Sequence, residues 1–88
     1  MEQIDKYIEK EKVLMDLEYE FVTEFIKLRK NLKLSQQKIA DSSGVIRETI
    51  ARIENSSVSP QLSTLIKVLE PLGYTVKIVP LSEEKGED

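Results

Sequence analysis

The chain has 88 residues and a net charge of −3, with 33% charged and 40% hydrophobic residues, which suits one small domain with a modest core. It has no cysteine and no histidine. Disulfides and thiolate metal sites are therefore excluded, and the commonest general base and zinc ligand are missing. No metal, cofactor or enzymatic activity is expected.

The charge is unevenly spread. Residues 1–26 hold three lysines against eight acids, a balance of −5. Residues 27–55 hold seven lysines and arginines against three acids, a balance of +4, and residues 56–88 stand at −2. A basic centre suits a polyanion, and acidic flanks suit a basic partner. No apolar run of about 18 residues occurs, so no membrane partner is expected. The opening "MEQIDKYIEKEK" is charged throughout and unlike a signal peptide, so a cytoplasmic location is expected.

Ile4 and Ile8 make a short helical stripe over residues 2–11. Leu17, Phe21, Phe25, Leu28 and Leu32 recur at spacings of three and four, which predicts a helix over 17–32. The stretch Val13–Asp16 allows the two helices to fuse or to break. Ser35 is placed to cap a helix over Gln36–Ser43, with Ile39 and Ala40 inward. Gly44 supplies the left-handed conformation that ends it.

A third helix is predicted over Ile46–Asn55. With Ile50 and Ile53 inward, Arg47, Glu48, Ala51 and Arg52 fall outside. Ser59 followed by Pro60 predicts the start of a fourth helix, with Leu62, Leu65, Ile66 and Leu69 on its inner face. Pro71 and Gly73 end that helix. "YTVKIVP" is the one strand candidate, with Tyr74, Val76 and Ile78 on one face. A lone strand leaves its backbone groups unpaired. Pairing with the same strand of a second copy, in a homodimer, is the simplest solution. The alternative is an extended tail lying on the helices. Residues 82–88 are expected to be disordered.

Two helices around a glycine turn form a helix-turn-helix unit. The second helix of such a unit lies in the major groove with its N-terminal residues at base edges. Here that end is Ile46, Arg47, Glu48 and Thr49. Arginine can bond guanine through two acceptors, and glutamate can accept from the cytosine amino group.

"LRKNLKLSQQKIADSSGVIRETIARIENSSVSPQLSTLIKVLEPLG", residues 28–73, resembles the XRE/Cro-type helix-turn-helix family. The matching features are Arg29 late in helix one, "LSQ" opening helix two, "IA" within it and "SGV" at the turn. "TIARIEN" and "SPQLSTLIKVLEPLG" complete the match. The resemblance implies an all-α bundle of four to five helices that binds double-stranded operator DNA. It implies that Gln36, with Gln37 beside it, contacts phosphate and braces the recognition helix. Arg47 and Glu48, with Thr49, match base-reading positions. Arg52 matches a third reader or a phosphate contact, and Asn55 and Ser57 match phosphate contacts. Arg29 and Glu54 match a buried ion pair.

Two positions depart from the pattern. Ile46 stands where a capping serine or threonine is usual, and it either touches a thymine methyl or packs against the helix-two turn. Pro71 stands where helix four normally continues, and the family's fifth helix is missing.

The leading acidic helix and "LGYTVKIVPL" are most similar to HigA antitoxins, with a HipB-like terminal strand. That likeness implies the antitoxin of a type II toxin–antitoxin pair, which represses its own operon and masks a basic, HigB/RelE-like messenger-RNA nuclease. The alternative is a stand-alone repressor, of phage or host, without a toxin. The expected organisation is an acidic helical extension over 1–16, the DNA-binding domain over 17–73, a dimerisation strand over 74–81 and a tail over 82–88. Exposed Ile4, Tyr7, Ile8, Val13 and Leu14 give the extension an apolar surface. Ile8, Glu11, Leu14 and Glu18 are the expected toxin contacts. Packing of residues 2–16 on their own domain is the alternative.

Overall fold

The first helix, α1 (Glu2–Asn31), runs 30 residues without a break, about 45 Å at 1.5 Å per residue. No glycine or proline precedes Gly44, so nothing interrupts it at Val13–Asp16. The computed structural model describes residues 2–81, with side chains from residue 8 onward. Ile4 and Tyr7 therefore lie outside the described side chains, and the expected tail over 82–88 lies outside the described residues.

The two halves of α1 have different surroundings. Residues 8–16 are all exposed, so this part does not pack on the rest of the molecule. Further along, Phe25 is buried, and Phe21 and Leu28 pack against the core. Phe21 and Phe25 stack with ring centroids 6.2 Å apart. Leu32 departs from its expected inward position and is exposed, because the helix stops at Asn31 and Leu32 falls in the turn. In that turn Lys33 adopts φ 59. The Lys33 N–H reaches the Lys30 carbonyl at 2.9 Å and the Leu34 N–H reaches the Arg29 carbonyl at 3.0 Å. This is a Schellman closure without glycine.

Next comes α2 (Gln36–Ser43), capped by the Ser35 hydroxyl, which accepts from the Lys38 N–H at 3.0 Å. Gly44, at φ 80, ends it and donates its N–H to the Ala40 carbonyl at 3.0 Å. A residue with a Cβ would be strained in this conformation. The chain turns into α3 (Arg47–Glu54), which ends at Ser56 with φ 60. There the Ser57 N–H donates to the Arg52 carbonyl at 2.9 Å.

The fourth helix, α4 (Leu62–Leu69), begins later than Ser59–Pro60 predicts. Ser59 does not cap it. Its hydroxyl donates instead to Glu18 Oε2 on α1 at 2.6 Å. Gln61 takes the N-cap position with no side-chain bond. The inner face differs accordingly: Leu65 is half-buried, while Val68, Leu69 and Leu72 are buried. Leu62 and Ile66, expected inside, are exposed. The set 65, 68, 69 and 72 has the i, i+3, i+4, i+7 spacing of one helical face, which leaves 62 and 66 at its edge. A short 3-10 turn, Glu70–Leu72, contains Pro71 and closes on Gly73 at φ 85. The Tyr74 N–H completes this closure on the Leu69 carbonyl at 3.1 Å.

Ile39, Ile50, Ile53 and Val68 are the most deeply buried side chains. Each is about 2 kcal/mol of favourable burial, and together they fix α2, α3 and α4 to the second half of α1. Beyond Gly73, residues 74–80 have no regular secondary structure. The predicted strand is absent from the single chain, because no other strand exists among the described residues to pair with it. Nor does the segment pack down as a tail. Ile78 is 97% exposed, and Tyr74 and Thr75, at its root, border a groove beside α1. No helix is long and apolar enough to cross a membrane among the described residues.

Candidate nucleic-acid interface

The polar surface of α2 and α3 is built around one ion pair. Arg29, near the end of α1, donates Nε to Glu54 Oε2 at 2.7 Å and Nη2 to Glu54 Oε1 at 3.0 Å. Its Nη1 donates to the Leu34 carbonyl at 3.0 Å. The side chains are only 11% and 7% exposed. Two parallel bonds to a carboxylate need the planar fork of arginine, and lysine cannot reproduce them. The pair joins the end of α1 to the end of α3.

Glu54 also accepts from Gln36. The Gln36 Nε2 donates to Glu54 Oε1 at 2.9 Å. This leaves the Gln36 carbonyl oxygen to accept from Arg47 Nη1 at 3.3 Å. A continuous chain of bonds therefore runs from Arg29 through Glu54 and Gln36 to Arg47. It ends, through a long and exposed bond, on the guanidinium at the first turn of α3.

The remaining candidate positions surround this point. Arg47, Glu48 and Arg52 are exposed, and Thr49 is half-buried. Arg52 Nη2 donates to Glu48 Oε2 at 3.4 Å, an i,i+4 pair on the open face. Exposed pairs of this kind hold their partners weakly, so both side chains can be redirected to a ligand. Gln37 is exposed and donates Nε2 to Asp41 Oδ1 at 2.9 Å, so its amide is engaged along α2. Asn55 and Ser57 are exposed around the Ser56 turn that follows α3. The outer positions of this surface carry Lys38, Arg47 and Arg52 against Asp41 and Glu48, a small positive balance that favours an anion.

Ile46 is the N-cap of α3 and makes no side-chain capping bond. It is 65% exposed, so it does not pack against the turn after α2. An exposed isoleucine beside Arg47 costs a cap, about 1 kcal/mol, and leaves an apolar contact point at the tip of the helix.

The other expected residues lie elsewhere. Tyr74, Val76 and Ile78 are exposed in the segment after Gly73. Ile8, Glu11 and Leu14 are exposed on α1, and Glu18 is half-buried where it receives Ser59. The bond of Ser59 to Glu18 was not expected from the sequence, since it joins residues 41 apart and no local pattern announces it. The brace of Gln36 on the third helix was expected, but not its partner Glu54.

The helix-turn-helix family model matches residues 25–79. An uncharacterised HTH-type transcriptional regulator of Haemophilus influenzae is 46% identical over 66 residues, 75% of this chain and 67% of the relative. A chain of a solved structure, described as a toxin–antitoxin module from Streptococcus pneumoniae, superposes with a TM-score of 0.69 at 40% identity. That superposition covers 82% of this chain and 80% of the other. The family match spans more than half the chain and contains all of α2, α3 and α4, and on that ground the chain belongs to the XRE-type helix-turn-helix family.

Proposed function

We propose that the chain is a DNA-binding transcriptional regulator that reads operator DNA through α3, and that it serves as the antitoxin of a type II toxin–antitoxin pair. The observation that carries the first half is Arg47: exposed at the start of α3 and bonded through Gln36 to a half-buried ion pair. A reading side chain held in place loses less conformational entropy on binding. Arg47 and Glu48 read bases, with Ile46 against a thymine methyl and Thr49 alongside. Gln36, Gln37, Arg52, Asn55 and Ser57 position the protein on the phosphates.

The second half is supported by the 40% identity to a chain of a toxin–antitoxin module. The free acidic half of α1 supports it too, since it suits a basic partner. The regulator is a HigA-like cytoplasmic homodimer, joined by pairing of residues 74–80 across a two-fold axis, and its partner is a HigB/RelE-like toxin. A stand-alone repressor is the second assignment, favoured by the Haemophilus relative, which is described only as a transcriptional regulator.

Co-expression with the protein of the adjacent small open reading frame separates the two. An antitoxin co-purifies with that protein and rescues growth from it. A stand-alone repressor does neither, yet still binds its operator.

A further inference from the structure

A groove of about 600 Å³ lies where α1 meets the loop after α3. Met15, Tyr19, Phe21 and Val22 form its α1 wall, and Val58 and Leu65 form the other. Glu18 is the one charged residue on its lining, and its bond to Ser59 ties the two walls together. A shallower depression on the free half of α1 is lined by Ile8, Glu11 and Met15, among others. Met15 borders both, so the two form one track along the helix. Met15 is 62% exposed and Tyr19 is 69% exposed. Ile8, Met15, Tyr19 and Val22 recur at spacings of three, four and seven, which aligns them on one helical face. Leu32, exposed in the turn after α1, lines neither hollow.

A contiguous apolar track with polar margins marks a protein-binding surface. Charge selects the occupant. The charged residues that line the two hollows are Glu11, Asp16 and Glu18 against Lys12. Nucleic acid and anionic lipid are repelled by such a surface. A second copy docked face to face would bring two acidic surfaces together, which is costly. The occupant that fits is a basic protein presenting apolar side chains inside a rim of lysine or arginine.

We infer that this track is the docking site for the basic partner protein, and that it extends from the free half of α1 into the helix-turn-helix domain at Val58 and Leu65. The inference rests on the antitoxin assignment. Apolar anchors in the groove supply the lasting affinity, while Glu11 and Glu18 steer the approach. The partner therefore grips both the leading helix and the loop that follows the recognition helix. The site does not end with the extension over 1–16.

The test measures binding of the protein from the adjacent small open reading frame to the full chain. The wild type is compared with the double variant Met15→Ser/Tyr19→Ser and with Leu32→Ser. All three positions are exposed, so circular dichroism and operator binding should be unchanged. The expected result is a tenfold or greater rise in Kd for the double variant and little change for Leu32→Ser. Glu18→Gln should slow association and flatten its salt dependence. Wild-type binding with an unaffected double variant would overturn the groove and leave the antitoxin assignment standing. A double variant that alters self-association, with partner binding intact, would assign the track to a second copy and also overturn it. Failure of the wild type to bind would remove the antitoxin assignment and the groove together.

Discussion

Glu54 fixes which way the Gln36 amide faces. It accepts from Gln36 Nε2 at 2.9 Å, so the carbonyl end of that amide is turned toward Arg47 Nη1 at 3.3 Å. Were the amide reversed, an N–H₂ group would oppose the guanidinium and an oxygen would oppose the carboxylate. The inner ion pair thereby sets the polarity of an outer contact.

Gln36→Ala removes the tether and leaves α2 with a good helix former. Operator affinity should fall by about 1 kcal/mol, the worth of a hydrogen bond with its ordering. Helical content should stay constant by circular dichroism. A titration on operator DNA that detects no loss would separate Arg47 from this chain of bonds.

Arg29→Ala strands Glu54 inside the domain with only Gln36 as a donor. The expected destabilisation is about 3 kcal/mol, or a fall in Tm of more than about 10 °C for a chain of this size. Arg29→Met with Glu54→Leu should be far milder, because neither charge is left alone. Urea denaturation of both variants measures the difference. Equal losses would mean that packing, and not charge pairing, explains the site.

Ile46→Ser restores a side-chain cap at the start of α3. Stability should rise by about 1 kcal/mol, read as a higher urea midpoint with an unchanged slope. If Ile46 touches a thymine methyl, the same variant loses preference for thymine at one operator position. A more stable protein with unaltered base preference would make the missing cap an unused defect.

The triple variant Tyr74→Ser/Val76→Ser/Ile78→Ser tests the assembly. These side chains are exposed in the single chain, so the fold should persist. Sedimentation should show a shift from dimer to monomer, and operator affinity should drop as the two half-sites uncouple. An intact dimer would move the interface to another surface, with exposed Leu62 and Ile66 the first to examine.

Local chemistry in the sequence was enough to define the helix-turn-helix. Ser35 and Gly44 mark both ends of α2, and the structure caps and closes it there. The buried Ile39, Ala40, Ile50 and Ile53 follow from spacing alone. The start of α4 was misplaced because Ser59 has two possible uses, and a carboxylate 41 residues away wins its hydroxyl. Lys33 and Ser56 take left-handed conformations that no local rule predicts for them. No strand exists among the described residues to pair with residues 74–80, so the single chain leaves that segment irregular. Of the candidate interface, the identities of the exposed residues on α3 were legible. In the chain of bonds behind Arg47, the Arg29–Glu54 pair and the bracing role of Gln36 were implied by the resemblance, but the two partners of the Gln36 amide were not, because they lie 18 and 11 residues away on another helix.

On the proposed function, α3 reads DNA through Arg47. The most direct measurement is the affinity and base preference of the wild type and of Arg47→Ala on a panel of operator sequences, at two salt concentrations. The expected result is a loss of about 1–3 kcal/mol for Arg47→Ala with one base preference relaxed, on a wild type whose binding weakens steeply with salt. Unchanged affinity and an unchanged preference in Arg47→Ala would contradict the account.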